Sequence, residues 1–222
     1  MASKTILTPF QQKLLDIIAT DPYLTSRFYL TGGTALSEFY FKHRYSEDFD
    51  LFSQKEVYLP SIVSFLKKIS PKIGLTKTEH RPFLGLHSFM LHLKNRNKFK
   101  IDFNYYPFQR IETGKKYKKL EIDSLHDIAA NKVHTLFMKP RARDYVDLFF
   151  IFKNTNFILK QLIIDAKTKF DWHIDALLLG SQLKKVQTLQ DLPYMLVPFD
   201  KKEMENFFLS LAKSLEKDIF KD

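Results

Sequence analysis

The segment that decides the fold covers residues 30–52 and reads LTGGTALSEFYFKHRYSEDFDLF. An apolar strand is predicted at residues 28–30, and it runs into the adjacent glycines Gly32 and Gly33. A short amphipathic segment follows at 34–41. Adjacent glycines let a ligand approach the backbone closely, and a helix that begins just after them directs unpaired N–H groups at the same place. The turn is therefore a candidate phosphate site.

A second predicted strand, at residues 48–52, carries two aspartates. Residues two apart in a strand point to the same face, so Asp48 and Asp50 project together. Carboxylates this close repel unless a positive charge lies between them, and Mg²⁺ commonly takes one or two carboxylates plus substrate phosphates. Each motif alone is more typical of a tight turn followed by a solvated acidic strand end. Their combination favours a nucleotide site with a divalent metal.

This combination resembles a known group of proteins. Gly32-Gly33-Thr34, followed by Arg44-x-Ser46-x-Asp48-Phe49-Asp50-Leu51, is similar to the signature of minimal nucleotidyltransferases of the polymerase-β type. More narrowly, Gly-Gly-Thr-Ala-Leu with Arg-x-Ser-x-Asp-Phe-Asp resembles the AbiEii/AbiGii toxin family. Residues 128–132 and 143–148 match the downstream pattern of that family. The resemblance covers roughly residues 28–152.

A third carboxylate lies further along the chain. Segments at 75–80, 87–94 and 98–106 are rich in strand-forming residues, and 95–97 is a predicted hairpin tip. In the last segment Asp102 shares a face with Lys100 and Asn104. The resemblance implies that Asp102 is the third carboxylate of the site, on a strand neighbouring Asp48 and Asp50. The alternative is an edge-strand charge that has Lys100 as its neighbour.

The composition indicates a folded protein of one or two small units. In 222 residues, 45% are hydrophobic and 22 are phenylalanine, while cysteine is absent, which excludes disulfides and thiolate metal sites. No stretch approaches the roughly 20 apolar residues of a membrane span, so we expect a soluble cytoplasmic protein with no membrane partner. The net charge of +10 favours polyanionic partners, although it also serves solubility.

Helical patterns surround the predicted sheet. Thr8, Pro9 and Gln11 predict a capped helix that ends at Asp21-Pro22, and a helix at 59–70 is predicted to stop at Pro71. Further helices are predicted from Ser124, from Arg143, and near 157–170, 174–185 and 201–217, and Trp172 is expected to be packed inside. The expected fold is α/β: a small mixed sheet with helices at residues 1–120, carrying the nucleotidyltransferase core, and a helical C-terminal subdomain at 121–222 that completes the active-site cleft.

Lys132 falls near the centre or border of the apolar stripe of its predicted helix. A cation there is costly unless it is paired, so either it snorkels at the edge of the stripe or it is directed at a nucleotide. Both alternatives predict that Lys132→Met melts within a few degrees of the parent. Asp144 and Asp147 lie at the N-terminal end of the next helix, where capping is a sufficient reason for either residue.

The resemblance implies transfer of an NMP from an NTP to an acceptor hydroxyl, with a tRNA 3′ end as acceptor in some members, inhibition of growth, and a cognate antitoxin. Asp48 and Asp50 would hold Mg²⁺ or Mn²⁺, and Asp102 would bind a second metal or activate the hydroxyl. Lys132 would neutralise developing charge, and Asp144 would position Lys132 or the acceptor. The nucleotide would be bound by Gly32, Gly33, Thr34, Arg44, Ser46 and Lys132.

Two alternatives remain open at this point. A non-catalytic RNA- or protein-binding module on the same scaffold is disfavoured because all three carboxylates are present. A nucleotidyltransferase of small molecules, of the antibiotic-modifying kind, would not need a basic surface. Candidate RNA contacts are the basic clusters at 94–100, 115–119 and 139–143.

Overall fold

The computed structural model describes residues 5–215, and the chain divides into two compact units. The first consists of Met1–Gln109 and Thr113–Ser124, and the second of Arg110–Glu112 and Leu125–Asp222. The first unit contains a seven-stranded mixed sheet with helices, and the second is helical. The predicted α/β fold class is confirmed.

The first unit begins with two helices and continues through the sheet. Its helices are α1 (Pro9–Ile18), α2 (Pro22–Arg27), α3 (Gly32–Leu36), which continues as a π-helical turn over Ser37–Phe41, and α4 (Leu59–Ile73). Its strands are β1 (Tyr29–Thr31), β2 (Asp48–Ser53), β3 (Leu75–Phe83), β4 (Leu86–Leu93), β5 (Lys98–Tyr105), β6 (Lys116–Tyr117) and β7 (Leu120–Ile122).

The order of strands in the sheet is β3-β4-β5-β2-β1-β7-β6. Strand β2 pairs antiparallel with β1 and parallel with β5, in a register that sets Asp50 opposite Asp102 and Asp48 opposite Lys100. Because β5 lies between β4 and β2, Asp102 is not an edge-strand charge. Phe49 and Leu51, which alternate with the two aspartates of β2, are fully buried. The predicted alternation of faces is confirmed.

The second unit is built from amphipathic helices. They are α5 (Leu125–Met138), α6 (Ala142–Asn154), α7 (Leu159–Phe170), α8 (Ala176–Lys184), which continues as a 3₁₀ turn over Lys185–Thr188, and α9 (Lys201–Ser214). The long central helix α6 is buried along most of its length, and its Tyr145 hydroxyl donates a hydrogen bond to the carbonyl of Gln182 at 2.6 Å. The predicted end of the last helix, at residues 216–217, lies outside the described residues.

Two prolines do not act as the sequence predicts. Asp21-Pro22 does not simply end α1, which already stops at Ile18. Asp21 caps a separate short helix, and Pro22 occupies its first turn. Helix α4 also runs past Pro71, which lies on its exposed side, and ends at Gly74 in the left-handed conformation. A solvent-facing proline in the last turn removes one backbone hydrogen bond without a clash against the core. The capping box of Thr8 and Gln11 is confirmed.

The segment after α7 also differs from its prediction. Trp172 is 51% exposed and therefore is not packed inside. Helix α7 ends at Asp171, which adopts the left-handed conformation (φ 47°), and this reversal turns the chain outward before the indole. Among residues 5–215, no helix has both the length and the apolar character needed to cross a membrane.

Candidate functional site

Three carboxylates meet on one face of the central strands of the first unit. Asp48 and Asp50 alternate along β2, and Asp102 lies directly opposite Asp50 on the parallel strand β5. Asp48 and Asp102 are each 7% exposed. The structure therefore brings together the three acidic residues that the sequence singles out, and it does so through strand register alone.

Lys100 supplies a cation within this cluster. Its Nζ lies 3.1 Å from Oδ2 of Asp48 and 2.7 Å from Oδ2 of Asp102. The other oxygen of Asp102 accepts a hydrogen bond from the hydroxyl of Ser88 on β4, at 2.6 Å. Desolvation acts to lower the pKa of Lys100, but the hydrogen bond to Asp102 and the negative charges of Asp48, Asp102 and Asp50 outweigh it and raise that pKa. Lys100 is therefore an ammonium at neutral pH.

The glycine turn lies directly beside these carboxylates. Gly32 begins α3 with φ +71°, and a Cβ at this position would collide with the Asp50 carboxylate. A Cβ on Gly33 would collide with the guanidinium of Arg44 and would lie 3.2 Å from the hydroxyl of Ser46. The space that a side chain would fill at the two glycines is thus taken up by three residues that the sequence assigns to the same site. Helix α3 begins at Gly32 itself, two residues before the predicted segment.

Thr34, Arg44 and Ser46, which the sequence also assigns to nucleotide binding, lie within or beside the turn. The hydroxyl of Thr34 donates to the backbone carbonyl of Asp48 and so ties α3 to β2. Arg44 is 2% exposed, and its Nη1 donates to the carbonyl of Tyr45 at 2.8 Å. The buried hydroxyl of Ser46, by contrast, has no hydrogen-bond partner within residues 5–215. Of these three side chains, Ser46 is the one that still offers an unused polar atom next to the turn.

The donor set of the cluster suits a divalent cation. Three carboxylates on one face offer the oxygen ligands that Mg²⁺ and Mn²⁺ prefer, and the Ser46 hydroxyl near them has no hydrogen-bond partner within the described residues. No group of three acidic or histidine residues is preformed as a metal site in the part of the chain that the structure describes. The ammonium of Lys100 instead lies between Asp48 and Asp102. The residues fit a metal provided that Lys100 gives way.

Lys132 and Asp144 form a second cluster, within the helical unit. The Nζ of Lys132, on α5, lies 2.7 Å from Oδ1 of Asp144 and 2.6 Å from Oδ2 of Asp147, both on α6. Asp144 also accepts the backbone N–H of Arg141 at 2.9 Å, so it caps α6 and binds the lysine at once. All three side chains are buried. The snorkelling alternative for Lys132 is wrong, because its ammonium is held inside by two carboxylates.

Sequence reasoning missed two parts of these sites. Lys100 appears in the sequence only as a neighbour of Asp102, because the parallel register that also sets it opposite Asp48 is not visible in a strand pattern. Asp147 appears as a capping residue, although it lies one helical turn after Asp144 and faces the same lysine. The i, i+3 spacing of the two aspartates was the available signal.

Comparisons with solved structures identify proteins of the same fold. A candidate nucleotidyltransferase of H. pylori superposes with a TM-score of 0.60 at 20% identity, covering 93% of each chain. JHP933 from Helicobacter pylori gives 0.56 at 19% identity, covering 93% of this chain and 90% of that one. The Megavirus polyadenylate synthase gives 0.44 at 14% identity, covering 65% and 30%. At sequence identities of 20% and 19%, the similarity to the two Helicobacter proteins shows a shared fold.

The family is shown by sequence. Residues 13–218 match the model of the nucleotidyl transferase AbiEii toxin family of type IV toxin–antitoxin systems. The chain therefore belongs to the AbiEii family of nucleotidyltransferase toxins, as the sequence resemblance predicts. Curated proteins give no match.

Proposed function

We propose that this chain transfers an NMP from an NTP to a hydroxyl of RNA, with the 3′ end of a tRNA as acceptor, and releases pyrophosphate. The observation that carries the proposal is the register of β2 and β5, which gathers Asp48, Asp50 and Asp102 beside the glycine turn. Membership of the AbiEii family supports the class of reaction. The acceptor and the metal are part of the proposal.

In the proposed reaction the acceptor oxygen forms a bond to the α-phosphorus while the bond from that phosphorus to the β-bridging oxygen breaks. The electron pair leaves with pyrophosphate, and the hydroxyl proton passes to a carboxylate, for which we propose Asp102. Ser88 would hold this carboxylate in position through the hydrogen bond described above. Mg²⁺ or Mn²⁺ held by Asp48, Asp50 and Asp102 would neutralise phosphate charge and polarise the reacting phosphate.

The triphosphate would be seated at the glycine turn. The absence of side chains at Gly32 and Gly33 lets Asp50, Arg44 and Ser46 lie against the turn, and the Ser46 hydroxyl would donate to a phosphate the hydrogen bond that it does not make within the described residues. Thr34 and Arg44 would hold the turn in position against β2. For Lys132 and Asp144, the part in charge neutralisation that the family resemblance implies stays a prediction from sequence.

An RNA acceptor agrees with the distribution of basic side chains in the first unit. The β4–β5 turn exposes Lys94, Arg96 and Lys98. Lys115 and Lys118 of the second basic cluster are partly engaged in the fold, because Lys115 lies over the ring of Tyr40 and Lys118 pairs with Asp16. We therefore propose the β4–β5 turn as the stronger RNA contact. An RNA acceptor of this kind would place the reaction in the cytoplasm, and the family supports a cognate antitoxin as a further partner.

The first test is an incorporation assay. The protein is incubated with each labelled NTP in turn, with total RNA, and with or without Mg²⁺. We expect label in the tRNA size range, for one or a few of the four NTPs, and only when the metal is present. Incorporation that is unchanged by a chelator, or label found only in small molecules, would contradict the metal or the RNA acceptor respectively.

The second test concerns RNA binding. If phosphate contacts from the basic turn dominate, the logarithm of affinity for tRNA should fall linearly with the logarithm of salt concentration. Replacing Lys94 and Arg96 with glutamine should lower the slope by about 1.4–1.8, since each phosphate contact contributes about 0.7–0.9. The matched control is Lys67→Gln with Lys72→Gln on α4, which removes two exposed charges elsewhere. Equal slopes in the two double variants would exclude this turn as the contact.

A further inference from the structure

Lys100 occupies the position that a metal ion would need. Its ammonium contacts Asp48 and Asp102 at 3.1 and 2.7 Å, and these carboxylates belong to the set that we propose as metal ligands. Asp50 faces the same group across the strand pair and contributes to its electrostatic environment. Two strands of fixed register hold these four residues together, so the contact is built into the sheet.

The lysine is nevertheless able to leave. Its side chain is 34% exposed, whereas the side chains of its two partners are each 10% exposed. A long flexible stem that reaches in from the open side can rotate back to solvent without disturbing the buried strands. An ammonium relieves the repulsion among carboxylates with one charge, and a divalent ion would relieve it with two. The two cations therefore compete for the same oxygens.

We propose that Lys100 is a built-in competitor of the divalent metal: it neutralises Asp48 and Asp102 in the metal-free protein, and metal entry displaces its ammonium into the open site. This inference rests on the proposed function, because it assumes that these carboxylates are the metal ligands. Its consequence is that the metal binds the protein alone less tightly than three clustered carboxylates would allow, so that the site fills in concert with the charge of an incoming triphosphate.

The test measures binding of Mn²⁺ to the full-length protein without nucleotide. Electron paramagnetic resonance reports the concentration of the free ion. We expect Lys100→Met and Lys100→Gln to bind Mn²⁺ about tenfold more tightly than the parent, because each removes a charge-assisted contact that the metal has to break. The matched control is Lys98→Met, which removes the same charge from the same strand and should stay within about twofold of the parent. Lys100 variants no tighter than this control would overturn the proposal.

A second measurement uses the parent protein, so that it does not depend on the folding of a variant. Lysine acetylation is followed by mass spectrometry with and without saturating Mg²⁺. Lys100 should become several-fold more reactive when the metal is present, while Lys98 should not change. Constant reactivity of Lys100 would overturn the proposal. If the parent binds Mn²⁺ and is active in transfer, but the Lys100 variants bind Mn²⁺ with the affinity of the parent, this inference alone is overturned. No Mn²⁺ binding by any of the proteins, either alone or in the presence of an NTP, would overturn the proposed function with it.

Discussion

The two units each contain a lysine held between two aspartates, but the two clusters differ in exposure. In the first unit the side chain of Lys100 is 34% exposed, and its partners Asp48 and Asp102 are each 10% exposed. In the second unit the side chain of Lys132 is 11% exposed, and those of Asp144 and Asp147 are 5% and 0% exposed. We call these the open cluster and the closed cluster.

The difference indicates two roles for the same chemistry. When a buried ion pair loses one partner, the other charge is left where it is poorly solvated. The closed cluster therefore contributes to the stability of the helices that carry it. The lysine of the open cluster is in contact with solvent and can move, so its carboxylates can change partners. Exchange of a cation is what a metal-dependent transfer site requires. We make four predictions from this contrast, in order of decreasing effect.

The largest effect is expected in the closed cluster. Lys132→Met removes the ammonium that contacts Asp144 and Asp147, and breaking a buried pair in this way typically costs about 3–5 kcal/mol. For a chain of this size the melting temperature should fall on the order of 10 °C. A thermal melt followed by circular dichroism measures it. A melting temperature within about 2 °C of the parent would show that the closed cluster is not structural.

The next effect concerns activity in the open cluster. Asp50→Asn keeps the shape of the side chain but removes one negative charge from the proposed metal site, and transfer should fall about a hundredfold or more. Glu47→Gln is the matched control, because it removes an exposed carboxylate from the residue before β2. Initial rates of label incorporation compare the two. Equal rates in both variants would remove Asp50 from the reaction.

A smaller effect is expected at the glycine turn. Gly33→Ala places a methyl group against the guanidinium of Arg44, so Arg44 or the turn must shift. We expect a loss of stability of about 1–3 kcal/mol from this overpacking, with a higher KM for the NTP. Gly180→Ala is the control, since no atom lies within 4 Å of the added methyl group. A Gly33→Ala protein with unchanged KM would mean that the turn does not seat the nucleotide.

The smallest effect is expected for the stability of the open cluster. We expect Lys100→Met to lower the free energy of unfolding of the metal-free protein by about 1 kcal/mol, because the carboxylates lose their cation but solvent reaches the position that the ammonium leaves. Chemical denaturation beside Lys132→Met, in the presence of a chelator, gives the direct comparison. A loss for Lys100→Met as large as that for Lys132→Met would erase the distinction between open and closed clusters.

The local features of both clusters were predictable, but their long-range pairing was less so. The alternation of Asp48, Phe49, Asp50 and Leu51 follows from the period of a strand, and the structure agrees. The position of Asp102 next to this strand came from the family resemblance, because no local pattern states which strands pair. The role of Lys100 depends on parallel register, which is a tertiary property.

The failed predictions share a physical cause. A proline often ends a helix because it lacks the backbone N–H, but Pro71 lies on the exposed side of the last turn, so α4 loses one hydrogen bond and still runs to Ile73. The snorkelling alternative for Lys132 was wrong because its buried partners lie on another helix, 12 and 15 residues away in sequence. In each case the outcome depends on what surrounds the residue in space, which the sequence does not list.

The location of bound Mn²⁺ decides whether the open cluster is the metal site. Binding is measured by electron paramagnetic resonance for the parent, for Asp50→Asn in the open cluster and for Asp147→Asn in the closed cluster, each first shown to be folded. Our account predicts that Asp50→Asn loses the bound ion and that folded Asp147→Asn retains it with the affinity of the parent. Retention of Mn²⁺ by Asp50→Asn, or its loss from folded Asp147→Asn, would contradict the claim that the open cluster is the metal site.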